Sequence, residues 1–263
     1  MNPLQVTKYD QIDMNPEGKF YTGTSGLVLP VANKLAFPPA YKDKSRLSYY
    51  ASMFNSLEVN SSFYKIPMAT TTRRWTTEVP DGFKFTFKLF RGITHNKALV
   101  FEEALVEKFM HVVDQVGDKK GALLVQFPAS IHFDSFSQLE HLLTIIREYD
   151  PKKTWQLSIE FRHVSWYRTE TYKLLERYYA AMVIHDMPKS IPPQVSSRLD
   201  FAYMRFHGPA GDYKGGYTDE VLQEYADRIN AWLKEGKTVY VYFNNTIGDA
   251  LKNLIKLNGS IVK

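Results

Sequence analysis

Apolar and polar residues alternate along six short segments of the chain, and in each segment the polar parity ends at the same edge. One parity carries Glu58 and Asn60, then Lys84, Thr86 and Lys88, then Gln126, then Glu160 and Arg162, then Arg205 and His207, and last Tyr240, Tyr242 and Asn244. The opposite parity is apolar: Leu57 and Val59, Phe83, Phe85 and Phe87, Leu123 and Val125, Leu157, Ile159 and Phe161, Met204 and Phe206, Val239, Val241 and Phe243. Successive side chains of a strand point to opposite faces, so the apolar set is predicted to pack on helices and the polar set to face an enclosed axis. Barrel interiors are ordinarily filled by branched aliphatics, and charges placed there need partners or a ligand.

Strand and helix signals alternate eight times, the arrangement of a parallel α/β barrel. Strands are predicted near 20–24, 56–60, 84–88, 122–127, 156–161, 181–186, 202–207 and 238–244, with helical stretches between them, among these 101–116, 136–149, 170–179 and 219–234. The last helix carries Val221, Leu222, Tyr225, Ala226, Ile229 and Trp232 at helical spacing, Thr218 as N-cap and Gly236 just past its end. Three prolines in 187–199 forbid a long regular helix there, so a short or irregular element is expected. The expected fold is one (β/α)8 TIM-type barrel domain over 1–263, irregular after the sixth strand, with its site at the C-terminal ends of the strands.

Composition adds limits. A chain of 263 residues, 44% hydrophobic and 14% aromatic, can bury one large core. Thirty-three basic against 28 acidic residues give a net charge of +5, a mild preference for anionic partners. No cysteine is present, which removes disulfides, thiolate zinc sites and cysteine nucleophiles. The first twenty residues lack an apolar stretch of signal-peptide type, and no run reaches the about 18 apolar residues of a membrane span. A cytoplasmic protein without membrane contact is expected.

Seven motifs in order resemble the YecE-like family, catalogued as domain of unknown function 72 (DUF72). They are Tyr21-Thr22-Gly23-Thr24-Ser25-Gly26, Leu57-Glu58-Val59-Asn60-Ser61-Ser62-Phe63-Tyr64, Phe85-Thr86-Phe87-Lys88 with Ile93-Thr94-His95, Gln126-Phe127-Pro128, Glu160-Phe161-Arg162-His163 with Trp166, Met204-Arg205-Phe206-His207-Gly208, and Tyr242-Phe243-Asn244-Asn245. The resemblance spans nearly the whole chain and implies a (β/α)8 barrel; the family name states no activity. The family usually has an aromatic residue after the first-strand glycine, where this chain has Leu27. If that aromatic stacks on a ligand, the ligand here differs or binds less tightly.

The residues themselves leave two readings of the polar parity open. Glu58, Glu160, Arg162 and Arg205 form either an acid/base pair with an anion clamp or an internal ion-pair network. In the first reading Glu58 and Glu160 share acid/base duty, His207 carries a proton, and Lys88, Arg162 and Arg205 hold an anion. Arg91 and His95 extend that anion-binding edge. Asn60 and Asn244 would orient hydroxyls, Gln126 is a further substrate-binding candidate, and Asn245 reads as a turn former. Phe63, Tyr64 and Trp166 are candidates for an aromatic wall, and Tyr213 and Tyr217 for a lid over 208–217. His207 with His185, Asp186, Glu58 and Glu160 could hold a divalent metal, but no metal-ligand spacing is present, and no cofactor is implied. The expected function is an enzyme, a hydrolase or an isomerase/lyase, acting on a small anionic or phosphate-bearing sugar, polyol or nucleotide-like compound. The alternatives are a non-catalytic binding protein for nucleic acid or an anionic metabolite, and a metal-dependent phosphodiesterase.

Overall fold

A computed structural model describes residues 18–193 and 198–262. The expectation of no signal peptide rests mainly on residues before Gly18, and part of the proline-rich stretch is 194–197; both lie outside the described residues. Along the chain run β1 (Phe20–Thr24), α1 (Arg46–Ala51), β2 (Ser56–Val59), α2 (Ser61–Tyr64), α3 (Ala69–Thr77), β3 (Lys84–Lys88), α4 (Arg91–Thr94) and α5 (Glu103–Val113). They are followed by β4 (Lys120–Gln126), α6 (Phe136–Tyr149), β5 (Gln156–Glu160), α7 (Thr169–Arg177), β6 (Ala180–Met182), β7 (Ile184–His185), β8 (Phe201–Phe206), α8 (Asp219–Lys234), β9 (Thr238–Phe243) and α9 (Ala250–Gly259).

The strands make two parallel sheets, one in the order β1-β9-β8-β7 and one in the order β2-β3-β4-β5-β6. The chain is therefore α/β with parallel sheets, but its backbone ladder does not close, which corrects the expected single closed barrel. At the β1–β2 seam the backbones share one bridge, Ser25 with Glu58. Side chains do the rest. Asn55 accepts from the Thr22 N–H at 2.9 Å and donates to the Phe20 carbonyl at 2.7 Å. The Tyr50 hydroxyl accepts from the Thr24 N–H at 2.7 Å and donates to the Ser56 carbonyl at 3.1 Å. Gly23 permits this approach, since a Cβ there would sit 2.1 Å from the Ser56 carbonyl oxygen.

The second seam lies inside the strand predicted over 181–186. β6 pairs with β5, β7 pairs with β8, and the chain changes partner at Val183, whose N–H still donates to the Ile159 carbonyl at 2.8 Å. Ala181, Met182, Val183 and Ile184 are all buried and apolar, so no alternation marks the exchange. Other boundaries agree: β3, α6 and α8 have the predicted limits, and Thr218 caps α8 by accepting from the Val221 N–H. The helix predicted over 101–116 is shorter, because a 3-10 turn at Asp114–Lys119 follows α5, with Gly117 at a φ of 56°. Among the described residues of 187–193 no helix forms.

The predicted apolar parity lies in the main core with Val106, Phe109, Leu139, Leu143 and Leu174 from the helices. The polar parity encloses a second cluster of Ala122, Leu124, Val183, Tyr203, Tyr240 and Tyr242, with Tyr21 packed against it. Tyr242 shares hydrogen bonds with Ser56 Oγ at 2.5 Å and Thr86 Oγ1 at 2.7 Å, so its hydroxyl is satisfied within the floor.

Candidate functional site at the C-terminal ends of the strands

Above the tyrosine floor, side chains from both sheets meet on one guanidinium. Arg205 on β8 donates all five of its N–H groups within the protein. Its Nε and Nη2 clamp Glu58 at 2.9 and 2.7 Å, and Nη1 reaches Glu160 at 2.7 Å. The remaining hydrogens reach His207 Nε2 at 3.2 Å and Ser25 Oγ at 3.2 Å. Glu58 also accepts from Tyr203 at 2.5 Å and from Ser25, which fills its acceptor sites. Glu160 accepts from Arg205 and Arg162. Both carboxylates are wholly buried.

Burial by itself would raise both carboxyl pKa values, but the guanidiniums outweigh it. The charge and hydrogen bonds of Arg205, with hydrogen bonds from Ser25 and Tyr203, hold Glu58 below its ordinary value. The charges of Arg162 and Arg205 hold Glu160 well below it. Both stay ionised at neutral pH. His207 accepts at Nε2 from Arg162, 2.9 Å, and from Arg205, so its hydrogen sits on Nδ1, which faces Asp186 Oδ1 at 3.1 Å. Burial, and then the two arginines against Glu160 and Asp186, lower its pKa and favour the neutral ring. Asp186 in turn accepts from Tyr217 and from the His207 N–H.

A different group of residues at the same mouth retains hydrogen-bonding capacity. Lys88, only 8% exposed, ends β3 with its Nζ 4.0 Å from the centroid of the Phe63 ring. Among the described residues no carboxylate pairs with that ammonium. Burial first, and then the charges of Arg205 and Arg162 against those of Glu160 and Glu58, lower its pKa to about 8. Arg162 uses Nε on Glu160 and one Nη2 hydrogen on His207, and its Nη1 has no partner among the described residues. Gln126 and Asn244 make no side-chain hydrogen bond among those residues, and the buried Asn60 Oδ1 has no donor. His95 packs edge-on against Phe63 at 4.8 Å; burial and then Lys88, Arg91 and Arg162 push its pKa down to about 4.

Some expected members lie elsewhere or are tied down. Trp166 is fully buried, stacks on Phe161 at 4.6 Å and gives its indole N–H to the Ile131 carbonyl, so it belongs to the outer core and offers no face to a ligand. Tyr64 is 63% exposed on the rim beside Phe63. Tyr213 and Tyr217 of the expected lid are anchored, the first by its N–H on the His207 carbonyl at 2.7 Å and the second on Asp186. Asn245 donates to Gly215 and Asn253 and holds the same loop. His185 hydrogen-bonds the Phe161 carbonyl at 3.1 Å. No group of three or more His, Asp or Glu among the described residues is spaced to hold a metal ion. Ser25 and Tyr203 were missed in the sequence; Tyr203 stands two residues before Arg205 on the same parity, which was the available signal. A cavity of about 600 Å3 at the opposite ends of the strands, lined by Phe20, Phe54, Leu233 and Ile261, touches none of this charged layer.

The chain is 27% identical to the UPF0759 protein YunF of Bacillus subtilis over 248 residues, which span 82% of this chain and 86% of YunF. It is 31% identical to the UPF0759 protein YecE of Escherichia coli over 97 residues, 37% of this chain and 36% of YecE. The crystal structure of a DUF72 family protein from Thermotoga maritima superposes with a TM-score of 0.73 at 26% identity, covering 92% of this chain and 98% of that one. A DUF72 family protein from Enterococcus faecalis, 21% identical, shares the fold with a TM-score of 0.74 over 92% and 95% of the two chains. The family profile described as "Protein of unknown function DUF72" matches residues 21–261, and the chain belongs to that YecE-like DUF72 family.

Proposed function

We propose that the mouth formed by β2, β3, β5, β8 and β9 binds a small anionic substrate, a phosphate- or carboxylate-bearing sugar, polyol or nucleotide-like compound, and transforms it by proton transfer. In this reading the two sheets act as one barrel-like enclosure. The observation that carries it is a buried ammonium without a carboxylate. Glu58 and Glu160 are matched by Arg205 and Arg162, and Asp186 is taken up by His207 and Tyr217, which leaves Lys88 with no carboxylate partner among the described residues, within the field of Arg162, whose Nη1 edge is open. A planar guanidinium edge suits two oxygens of a phosphate or carboxylate.

The acid/base duty first expected of the glutamates falls in this reading to Lys88. Glu58 has no acceptor site left, and both carboxylates are held ionised by guanidiniums that would have to move before either took a proton. Lys88, lowered to about 8, exchanges a proton near neutrality. Glu58, Glu160, Arg205 and His207 are then positioning residues that hold Arg162, and Asn60, Gln126 and Asn244 orient hydroxyls. Calorimetric titration with inorganic phosphate tests the anion site at constant ionic strength. Saturable binding that Arg162→Gln abolishes is expected; heat that tracks ionic strength alone, unchanged by the substitution, would sink the reading.

A further inference from the structure

We propose that Lys88 is an amine nucleophile whose Nζ forms an imine with the carbonyl carbon of a small aldehyde or ketone that carries a carboxylate or phosphate. The inference rests on the reading of the mouth as an anion site and names the functional group on which that site acts. Three observations lead to it. The side chain is more than nine-tenths buried, lies over the Phe63 ring, and has no carboxylate partner among the described residues. The nearest acids, Glu58 on β2 and Glu160 on β5, are clamped to Arg205 and Arg162 and cannot turn to meet it. Arg162 holds an open donor edge in the same layer, where it would fix the anionic end of a bound carbonyl compound.

A lysine placed only to attract anions is best kept fully charged, yet burial and the two guanidiniums outweigh the clamped glutamates and favour the free amine. The groups facing it are Arg205, Arg162 and the two clamped glutamates, with neutral His95 packed edge-on against Phe63. With its pKa at about 8, roughly a tenth of Lys88 is unprotonated at pH 7, hundreds of times the fraction of an exposed lysine. The lone pair of Nζ attacks the carbonyl carbon, and a carbon–nitrogen bond forms. Both amine hydrogens then leave with the carbonyl oxygen as water, and one proton from solvent makes the iminium. This cation replaces the ammonium over Phe63, so the cation–π contact survives. An iminium next to the reacting carbon accepts the electron pair of a broken C–H or C–C bond, which places the chemistry among isomerases and lyases.

The test is reductive trapping on the full chain with sodium cyanoborohydride, using glyoxylate as the carboxylate probe, glyceraldehyde 3-phosphate as the phosphate probe and glycolaldehyde as the uncharged one. Intact mass and peptide mapping read the adduct. A single adduct on Lys88 is expected, about tenfold faster with at least one anionic probe than with glycolaldehyde. Lys88→Met and Lys88→Arg, both checked for folding by circular dichroism, should lose it, and Arg162→Gln should remove the preference for anionic probes while leaving Lys88 reactive. Saturable phosphate binding without labelling of Lys88, or labels spread evenly over exposed lysines, would overturn the imine and leave the anion site standing. Labelling of Lys88 that ignores probe charge, with no phosphate binding, would support the nucleophile and remove the anion reading beneath it.

Discussion

Arg205 shows how a single side chain can organise a buried charged layer. A guanidinium with every N–H engaged holds two carboxylates from the other sheet and cannot be replaced by a point charge such as lysine. Arg205→Met leaves Glu58 buried without its counter-charge and Glu160 with Arg162 alone, and is expected to cost about 3–5 kcal/mol in urea unfolding. Arg162→Met, at the more open rim, should cost less in the same assay. Lys88 behaves oppositely. Its folded pKa of about 8 lies below the ordinary 10.5, so the folded state sheds the proton first, and the buried charge destabilises the fold below pH 8. Lys88→Met should therefore raise stability at pH 7 by on the order of 2 kcal/mol, a gain that shrinks as pH rises from 8 toward 10.5. A loss of stability at pH 7 would show that the ammonium has a partner. The identities of Glu58, Glu160, Arg162, Arg205 and Lys88 and their common face were legible from parity alone. Their pairing was not, because alternation gives the side of a strand and says nothing of distance across an axis.

At the scale of elements, the two seams carry the departures from a regular barrel. Tyr50 on α1 inserts its hydroxyl where β1 and β2 would exchange a backbone hydrogen bond. Tyr50→Phe keeps the ring but strips the partner from the Thr24 N–H and the Ser56 carbonyl, and should cost about 1–3 kcal/mol in thermal unfolding. A silent substitution would mean that the seam relaxes into a backbone ladder. This seam was invisible in sequence because strands of equal pattern pair with or without intervening side chains. The exchange at Val183 was hidden for a related reason: an apolar run buried on both faces has no periodicity to interrupt. Where a helix carries its own start and stop chemistry, as α8 does with Thr218 and Gly236, the boundary was readable to the residue.

For the molecule as a whole, the buried titratable groups set the acid side of stability. Glu58 and Glu160 have lowered folded pKa values, so their contribution is complete above the ordinary carboxyl value of 4.5 and is lost as pH falls through the lowered ones. His185, lowered by burial to about 4 from 6.5, binds its proton more readily in the unfolded chain, so stability also falls as pH drops from 6.5 to 4. Thermal melts across this range should show a first decline near pH 6, on the order of 2 kcal/mol from His185, and a steeper one below 4.5. His185→Gln should shrink the first decline, leaving the shares of His95 and His207, and spare the second. By itself the sequence determined the α/β alternation, the parallel strands, the two faces of each strand and the family, because these depend on local periodicity and on motifs read in order. Only the tertiary structure decided which charges are matched, which helical and turn side chains close the seams, and that Trp166 is core while Lys88 stands without a carboxylate. Those outcomes depend on distances between residues far apart in the chain, and they arise only when both sheets pack around the same tyrosine floor.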